Sequence, residues 1–306
     1  MKHKSSIVFA LLVAIIWGVS FVATKIVVEQ IPPATIGFLR FVIAYISLTV
    51  IVKMQGKREK IARPDRFPVI MMGLTGVTLY FLFENYGLQY TSAANGSLIV
   101  STVPIFTIIF NRIFLKERFS PVTIIGIILS FIGIYILIFG FSGSMELNLR
   151  GDIVMFLSVV SWIGYTYYAK NTRRNYGVLT VTRELSLWGA VFFIPFVIYD
   201  CISNPAFITN TDISVIIPLV YLGIICSAIA YLMWNKALKE EDAHLVNAFI
   251  YLIPLFSIIT EVIYTGEMPR LRVYISAPLI IAGLFIAHIF SKGRFETELE
   301  QESLER

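Results

Sequence analysis

Residues 93–121 read AANGSLIVSTVPIFTIIFNRIFLKERFSP, and the apolar run that follows carries Gly126, Ser130 and Gly133. This pattern is an apolar helix with Pro104 in its middle, a short charged turn holding Glu117, and a second apolar helix with small residues along one side. A shift of 150 residues finds it again. Ala93, Pro104, Phe106, Ile108, Ile109, Ile113, Glu117 and Gly133 fall on Ala243, Pro254, Phe256, Ile258, Ile259, Ile263, Glu267 and Gly283. Extended backward, the register puts Gly73 on Gly223, Asn85 on Asn235 and Leu88 on Leu238. From 73 to 133 there are 14 identities in 61 ungapped positions, against about 5 expected for so apolar a composition. The chain reads as two copies of one unit, residues 1–145 and 146–292, followed by a charged tail at 293–306.

With 57% hydrophobic and 15% charged residues and a mean hydropathy of +0.78, the 306-residue chain lacks the polar surface of a soluble globule. A bilayer core about 30 Å thick takes roughly 20 apolar residues per helical span. Ten such runs occur, at 7–28, 34–52, 67–87, 93–115, 121–140, 151–169, 182–199, 214–235, 243–264 and 272–290. A β-barrel would require short alternating segments, whereas residues 123–139 are continuously apolar, so the expected fold is all-α and integral to the membrane. The first run lacks a small-residue cleavage pattern and matches a run in the second copy, so it is expected to remain in the protein. Cys201 and Cys226 form no metal or redox pattern, and no cofactor is expected. The net charge of +5 resides in loops and reports topology rather than nucleic-acid binding.

If the N-terminus is cytoplasmic, 20 Lys and Arg fall on the inner side, 4 on the outer side, and Arg40 lies within the second run. That bias predicts both termini in the cytoplasm of a cell (inner) membrane protein. Five spans per copy is an odd number, so the second copy enters the membrane inverted, an arrangement that puts a substrate site near the midplane. The first runs also match, at an offset of 145, with Trp17, Lys25 and Thr35 on Trp162, Lys170 and Thr180.

Candidate cavity residues follow from polar and aromatic stripes within apolar helices. Trp17, Ser20 and Thr24 share a face of the first run, matched by Trp162, Tyr165 and Ala169; helix packing is the alternative reading. Tyr80, Glu84 and Gly87 share a face of the third run, and Ser227, Tyr231 and Trp234 one of the eighth. An ionisable group in a span costs about 2.5 to 3.5 kcal/mol and normally faces protein or water. Glu84 is therefore either a carboxylate able to exchange protons as the cavity alternates or an ionised residue at the outer mouth. Arg40 lies within snorkelling reach of the interface, which predicts anchoring. Ser97 and Ser101 of the fourth run match Asn247 and Tyr251 of the ninth, and the latter two, one turn apart, are the candidates for substrate hydrogen bonds. Asn95 begins the fourth run and could cap it. Pro104 and Pro254 are expected to kink their helices. Gly126, Gly133 and Gly283 belong to small-residue stripes that pack helices, within the chain or in a homodimer. Glu117 and Glu267 are expected to fix turns.

The order of W-G-x-S-F at 17–21, L-R-F at 39–41, A-A-N at 93–95 with its following proline, K-E-R at 116–118, and the glycines at 133 and 283 resembles the EamA family of the drug/metabolite transporter superfamily. The resemblance covers about residues 7–290. It implies export of small metabolites or amino acids through a central cavity. The second copy departs from the pattern, with Ala243-His244 opposite Ala93-Ala94 and no asparagine opposite Asn95.

The leading expectation is a secondary transporter exporting a small metabolite, such as an amino acid or amphipathic amine, with the lipid bilayer as its other partner. A GxxxxGK[ST] phosphate loop is absent, which excludes ATP hydrolysis by this chain. Rival readings are an uncoupled facilitator or channel, a scaffold, and an intramembrane enzyme. The last is disfavoured because His3, His244 and His288 are scattered at or near run ends.

Overall fold

The computed structural model describes residues 2–56, 59–114, 121–139, 149–240, 246, 249–269, 271–283 and 285–286. Glu117, Asn247 and the tail at 293–306 lie outside these. No strand occurs among the described residues. Ile7–Val28, Pro33–Met54, Arg63–Tyr90, Val178–Ser203 and Ile213–Ala237 are each long and apolar enough to cross a bilayer. Shorter apolar helices cover Ala93–Thr107, Pro121–Gly133, Phe249–Thr265 and Leu271–Gly283. The sixth run lies in Leu149–Asn175.

Helix boundaries recur at the offset seen in the sequence. A 3₁₀ turn at Arg63–Asp65 is repeated at Ile213–Val215, and helix restarts at Tyr80 and again at Ala230. Between them each copy carries a π-helical stretch, Leu74–Leu79 and Tyr221–Ile229. A π turn accommodates an extra residue and swings carbonyls off the regular ladder, a distortion that recurs at functional sites.

The fourth run is interrupted at 101–102 and the ninth changes from a 3₁₀ turn to an α-helix at Ile253, distortions beyond the kink expected from Pro104 and Pro254. Proline has no N–H for the carbonyl four residues back, and helix Ala93–Val100 stops at that residue before resuming at Val103. Two carbonyls of the turn before the break accept from nearby hydroxyls. Ser101 Oγ donates to Leu98 O at 2.7 Å and Thr102 Oγ1 to Ile99 O at 2.6 Å, so side-chain hydroxyls meet two of the carbonyls in the last turn before the break. In the other copy a 3₁₀ turn, Phe249–Leu252, precedes Ile253–Thr265, with Pro254 in its first turn.

Several helix ends are capped from the opposite copy. Asp200 accepts from Thr35 N at 3.2 Å and Thr35 Oγ1 at 2.9 Å, at the start of Pro33–Met54. Glu261 accepts from the amides of Ala93 and Ala94, at 3.2 and 2.8 Å. Ser92, not Asn95, is the side-chain cap of this helix, its hydroxyl accepting from Asn95 N at 3.1 Å. Asn95 sits one turn too late to cap. Carboxylates at these amides also meet the positive end of the helix dipole.

The copies interlock. Pro33–Met54 packs along Val178–Ser203; Lys2–Val28 lies against Ala230–Glu240 and Ile253–Thr265, while Leu149–Asn175 lies against Tyr80–Tyr90 and Val103–Phe114. Each cross-copy pair thus has a counterpart with the copies exchanged. The small-residue stripes are used within the chain: a Cβ on Gly133 would meet Ile280 N at 2.9 Å, one on Gly283 would meet Gly126 O at 2.6 Å, and Ser130 Oγ donates to Ile280 O at 3.2 Å. Ile46, Val50, Ile125, Ile132, Ile198 and Ile202 point outward as exposed apolar surface, as lipid requires and water does not favour.

Because Gly283 faces backbone, Gly283→Leu is expected to cost about 1 to 3 kcal/mol through overpacking, read as a lower thermal unfolding midpoint in detergent. An unchanged midpoint would contradict this packing.

Candidate functional site

The two helix breaks flank a central cavity. Its wall comprises Trp17, Ser20, Phe21, Arg40, Tyr80, Phe81, Glu84, Val100, Val103, Trp162, Tyr231, Ile250 and Ile253. Eight of these form four repeat-related pairs: Trp17 with Trp162, Phe81 with Tyr231, Val100 with Ile250, and Val103 with Ile253. The free volume is only about 30 Å³, room for a water or two rather than a metabolite. Entry of a larger molecule requires the wall to part.

The aromatic wall is continuous. Trp17 meets Trp162 edge-on at 6.0 Å, Tyr231 at 5.7 Å and Trp234 at 5.1 Å. Trp162 lies 5.0 Å from Tyr80 and 4.7 Å from Tyr165. The π stretches hold the polar tips of this cluster: Trp17 Nε1 donates to Cys226 O at 3.3 Å, and Tyr231 OH donates to Gly76 O at 3.1 Å. Gly76 and Cys226 are themselves 150 residues apart. Each copy's displaced carbonyl thus anchors an aromatic side chain of the other, satisfying buried donors that would otherwise be costly.

Charge enters the wall from the first copy only. Arg40 is 1% exposed and Glu84 3%, so Arg40 is not the interfacial anchor expected from the sequence. Its side chain turns inward because partners wait there. Arg40 Nε donates to Ser227 Oγ at 2.5 Å, the guanidinium carbon lies 4.1 Å above the Phe81 ring, and Nη1 stands 3.9 Å from Glu84 Oε1. The repeat-related positions are Leu185 and Trp234.

Of the residues singled out in the sequence, Trp17, Ser20, Tyr80, Glu84, Trp162 and Tyr231 converge on this cavity. Tyr165 stands behind it, stacked on Trp162, with its hydroxyl donating to Asn235 Oδ1 at 3.0 Å. Tyr251 is buried but does not line the cavity; Ile250 in the 3₁₀ turn and Ile253 at the start of the following helix line it instead. Ser97 and Ser101 bond to carbonyls of their own helix. Glu267 lines a second, polar cavity of about 320 Å³ with Asp152, Glu261 and Arg272, and its backbone N–H, rather than its carboxylate, bonds within the turn, to Thr265 Oγ1 at 3.1 Å. Arg40 is the residue whose role sequence reasoning missed. A signal was available in the presence of one acid and one base in separate apolar runs, which hydrocarbon would drive together.

A two-part match to the EamA-like transporter family spans residues 4–139 and 149–289. The chain belongs to the EamA-like transporter family. An EamA relative from Archaeoglobus fulgidus, named an uncharacterized transporter, is 32% identical over 283 residues, covering 92% of this chain and 98% of that one. A protein of Streptantibioticus cattleyicolor named a probable terminal-alkyne amino-acid exporter is 24% identical over 297 residues, covering 96% and 97%. A solved crystal structure superposes with a TM-score of 0.68 over 94% of this chain and 98% of that chain at 19% identity, a likeness of fold. EamA relatives are named as transporters, not enzymes, and the family together with several long apolar helices makes this a multi-pass membrane transporter.

Removing one member of a buried charge pair strands the other. Glu84→Ala is expected to lower stability by about 3 kcal/mol, and replacing both Arg40 and Glu84 by leucine to recover most of that loss. Thermal unfolding of the purified variants checks this; equal destabilisation by the single and double changes would contradict the pairing.

Proposed function

We propose that the protein is a secondary-active transporter exporting a small metabolite, such as an amino acid, across the inner membrane by alternating access through the central cavity. The observation that carries this reading is the cavity itself: narrow, aromatic, and walled by repeat-related pairs beside the two helix distortions. Broken helices of two related halves around one site are the framework on which rocking opens a site to either side in turn. In this reading ten spans form two inverted five-helix repeats, 1–145 and 146–292, with both termini cytoplasmic. The relative named as an amino-acid exporter supports that substrate class by similarity. Glu84, buried in the wall, is the carboxylate that exchanges the driving proton.

Two measurements test this reading. Reporters fused after Lys60, Lys116, Lys239 and Lys292 should be cytoplasmic and those after Asn148 and Asn204 should not, given the 20 to 4 charge bias. A cytoplasmic reporter in either outer loop defeats the ten-span topology. In proteoliposomes screened with radiolabelled amino acids, Glu84→Gln should abolish the acceleration of uphill transport by an imposed pH gradient and leave counterflow largely intact. Transport by the unmodified protein that ignores the gradient would remove the coupling role.

A further inference from the structure

The central cavity is lined by one guanidinium with a buried nitrogen that has no hydrogen-bond partner. Arg40 is held at two places: its Nε by Ser227 Oγ at 2.5 Å, and its flat face by the Phe81 ring at 4.1 Å. Ser227 sits in the π stretch Tyr221–Ile229 and Phe81 in the helix that follows the other π stretch. These two contacts fix the plane of the guanidinium of this cavity-lining residue and leave Nη1 over. Nη1 is buried and has no hydrogen-bond partner. The nearest acid oxygen, Glu84 Oε1, is 3.9 Å away, beyond hydrogen-bonding range.

A purely structural ion pair would be closed. Buried charges that merely hold helices together are bonded at about 2.7 to 2.9 Å, because an unmade charged hydrogen bond in a low-dielectric interior is costly. Arg40 instead has a fixed orientation, an open edge and an acid nearby that balances its charge without occupying that edge. Its surroundings select the rest of the ligand: Trp17, Trp162, Tyr231 and Val103 offer apolar and aromatic surface. Among the described lining residues Arg40 is the cation and Glu84 the anion. One guanidinium suits a monoanion, whereas a phosphate monoester would bring a second charge for which the wall has no cation.

Resting on the reading that the cavity holds the transported molecule, we propose that Arg40 is the anion anchor of that site and that the substrate carries a carboxylate beside an apolar or aromatic body. The carboxylate accepts from the Nη edge of Arg40 in place of the distant Glu84. The apolar body lies against the tryptophans. An amine without a carboxylate is excluded from the preferred class, since it would leave the Arg40 edge unmet and add positive charge beside it.

Tryptophan emission of the purified full-length protein provides the test. Trp17 and Trp162 form the cavity wall and Trp234 touches Trp17, so three of the four tryptophans report on it. The probes are matched sets on one apolar body: phenylalanine, phenylalanine amide, phenethylamine, 3-phenylpropionate and phenethyl phosphate, with leucine, its amide and 4-methylvalerate as an aliphatic set. Carboxylate members should bind about tenfold or more tighter than the amide or amine with the same body. Arg40→Lys should retain part of that preference, as a point charge without the planar fork. Arg40→Gln combined with Glu84→Gln removes both charges and strands neither, and once its melting curve shows a folded protein it should bind acids and amides alike. Failure of every carboxylate to bind, tighter binding of amines, amides or the phosphate, or a preference that survives the double change would each overturn the proposal. A carboxylate that binds through Arg40 but undergoes no counterflow in proteoliposomes would leave the anchor standing and defeat the transport reading instead.

Discussion

A backbone carbonyl inside a bilayer has no water to turn to, and every break in a helix there must find its donors within the protein. This chain distorts its apolar helices repeatedly, and side chains meet several of the carbonyls at those distortions. Ser101 and Thr102 hydroxyls donate to the carbonyls of Leu98 and Ile99, in the last turn before Pro104. Trp17 and Tyr231 reach across the copies to the carbonyls of Cys226 and Gly76. The donors that satisfy the π stretches are therefore the same side chains that wall the cavity. Backbone satisfaction and cavity shape are set by one group of contacts, so the cavity cannot be remodelled without finding those carbonyls new partners.

Duplication explains the regularity of this arrangement. The 3₁₀ turns, π stretches, helix restarts and proline breaks recur at one offset, and the cavity inherits matched pairs from them. Departures from the pattern are concentrated in chemistry. Arg40 and Glu84 face positions that are Leu185 and Trp234 in the second copy, so a nearly symmetric apolar chamber has its only described charges on one side. A scaffold built from two equal halves can rock between two faces, while a one-sided charge pair gives a bound molecule a defined orientation.

Much of this was legible in the sequence because hydrocarbon imposes simple rules. Run length and the lack of polar alternation gave the helices, and the matching of Pro104 with Pro254 located both breaks. Stripes at helical spacing found Trp17, Ser20, Tyr80, Glu84, Trp162 and Tyr231. What periodicity could not deliver was the phase of a helix after a break. Tyr251 sits in a 3₁₀ turn, where three residues per turn rather than 3.6 carry it off the cavity-facing direction. Distance from the interface misled for Arg40, since a long side chain can turn inward as readily as outward, and the partners that decide, Ser227 and Phe81, lie on other helices. The caps supplied by Asp200 and Glu261 were likewise invisible, being 165 or more residues from the amides they meet.

Accessibility of the two helix breaks tests the central claim most directly. Val103 and Ile253 occupy matched places in the cavity wall. Each is replaced singly by cysteine in a background lacking Cys201 and Cys226, the protein's only cysteines, and exposed to a membrane-impermeant thiol reagent from one side of oriented vesicles at a time. The account predicts that both positions react from either side, slowly, and that a transported substrate slows both reactions together. Reaction from neither side would make the chamber a packed core, and rapid reaction from both sides at once, unaffected by substrate, would make it a channel.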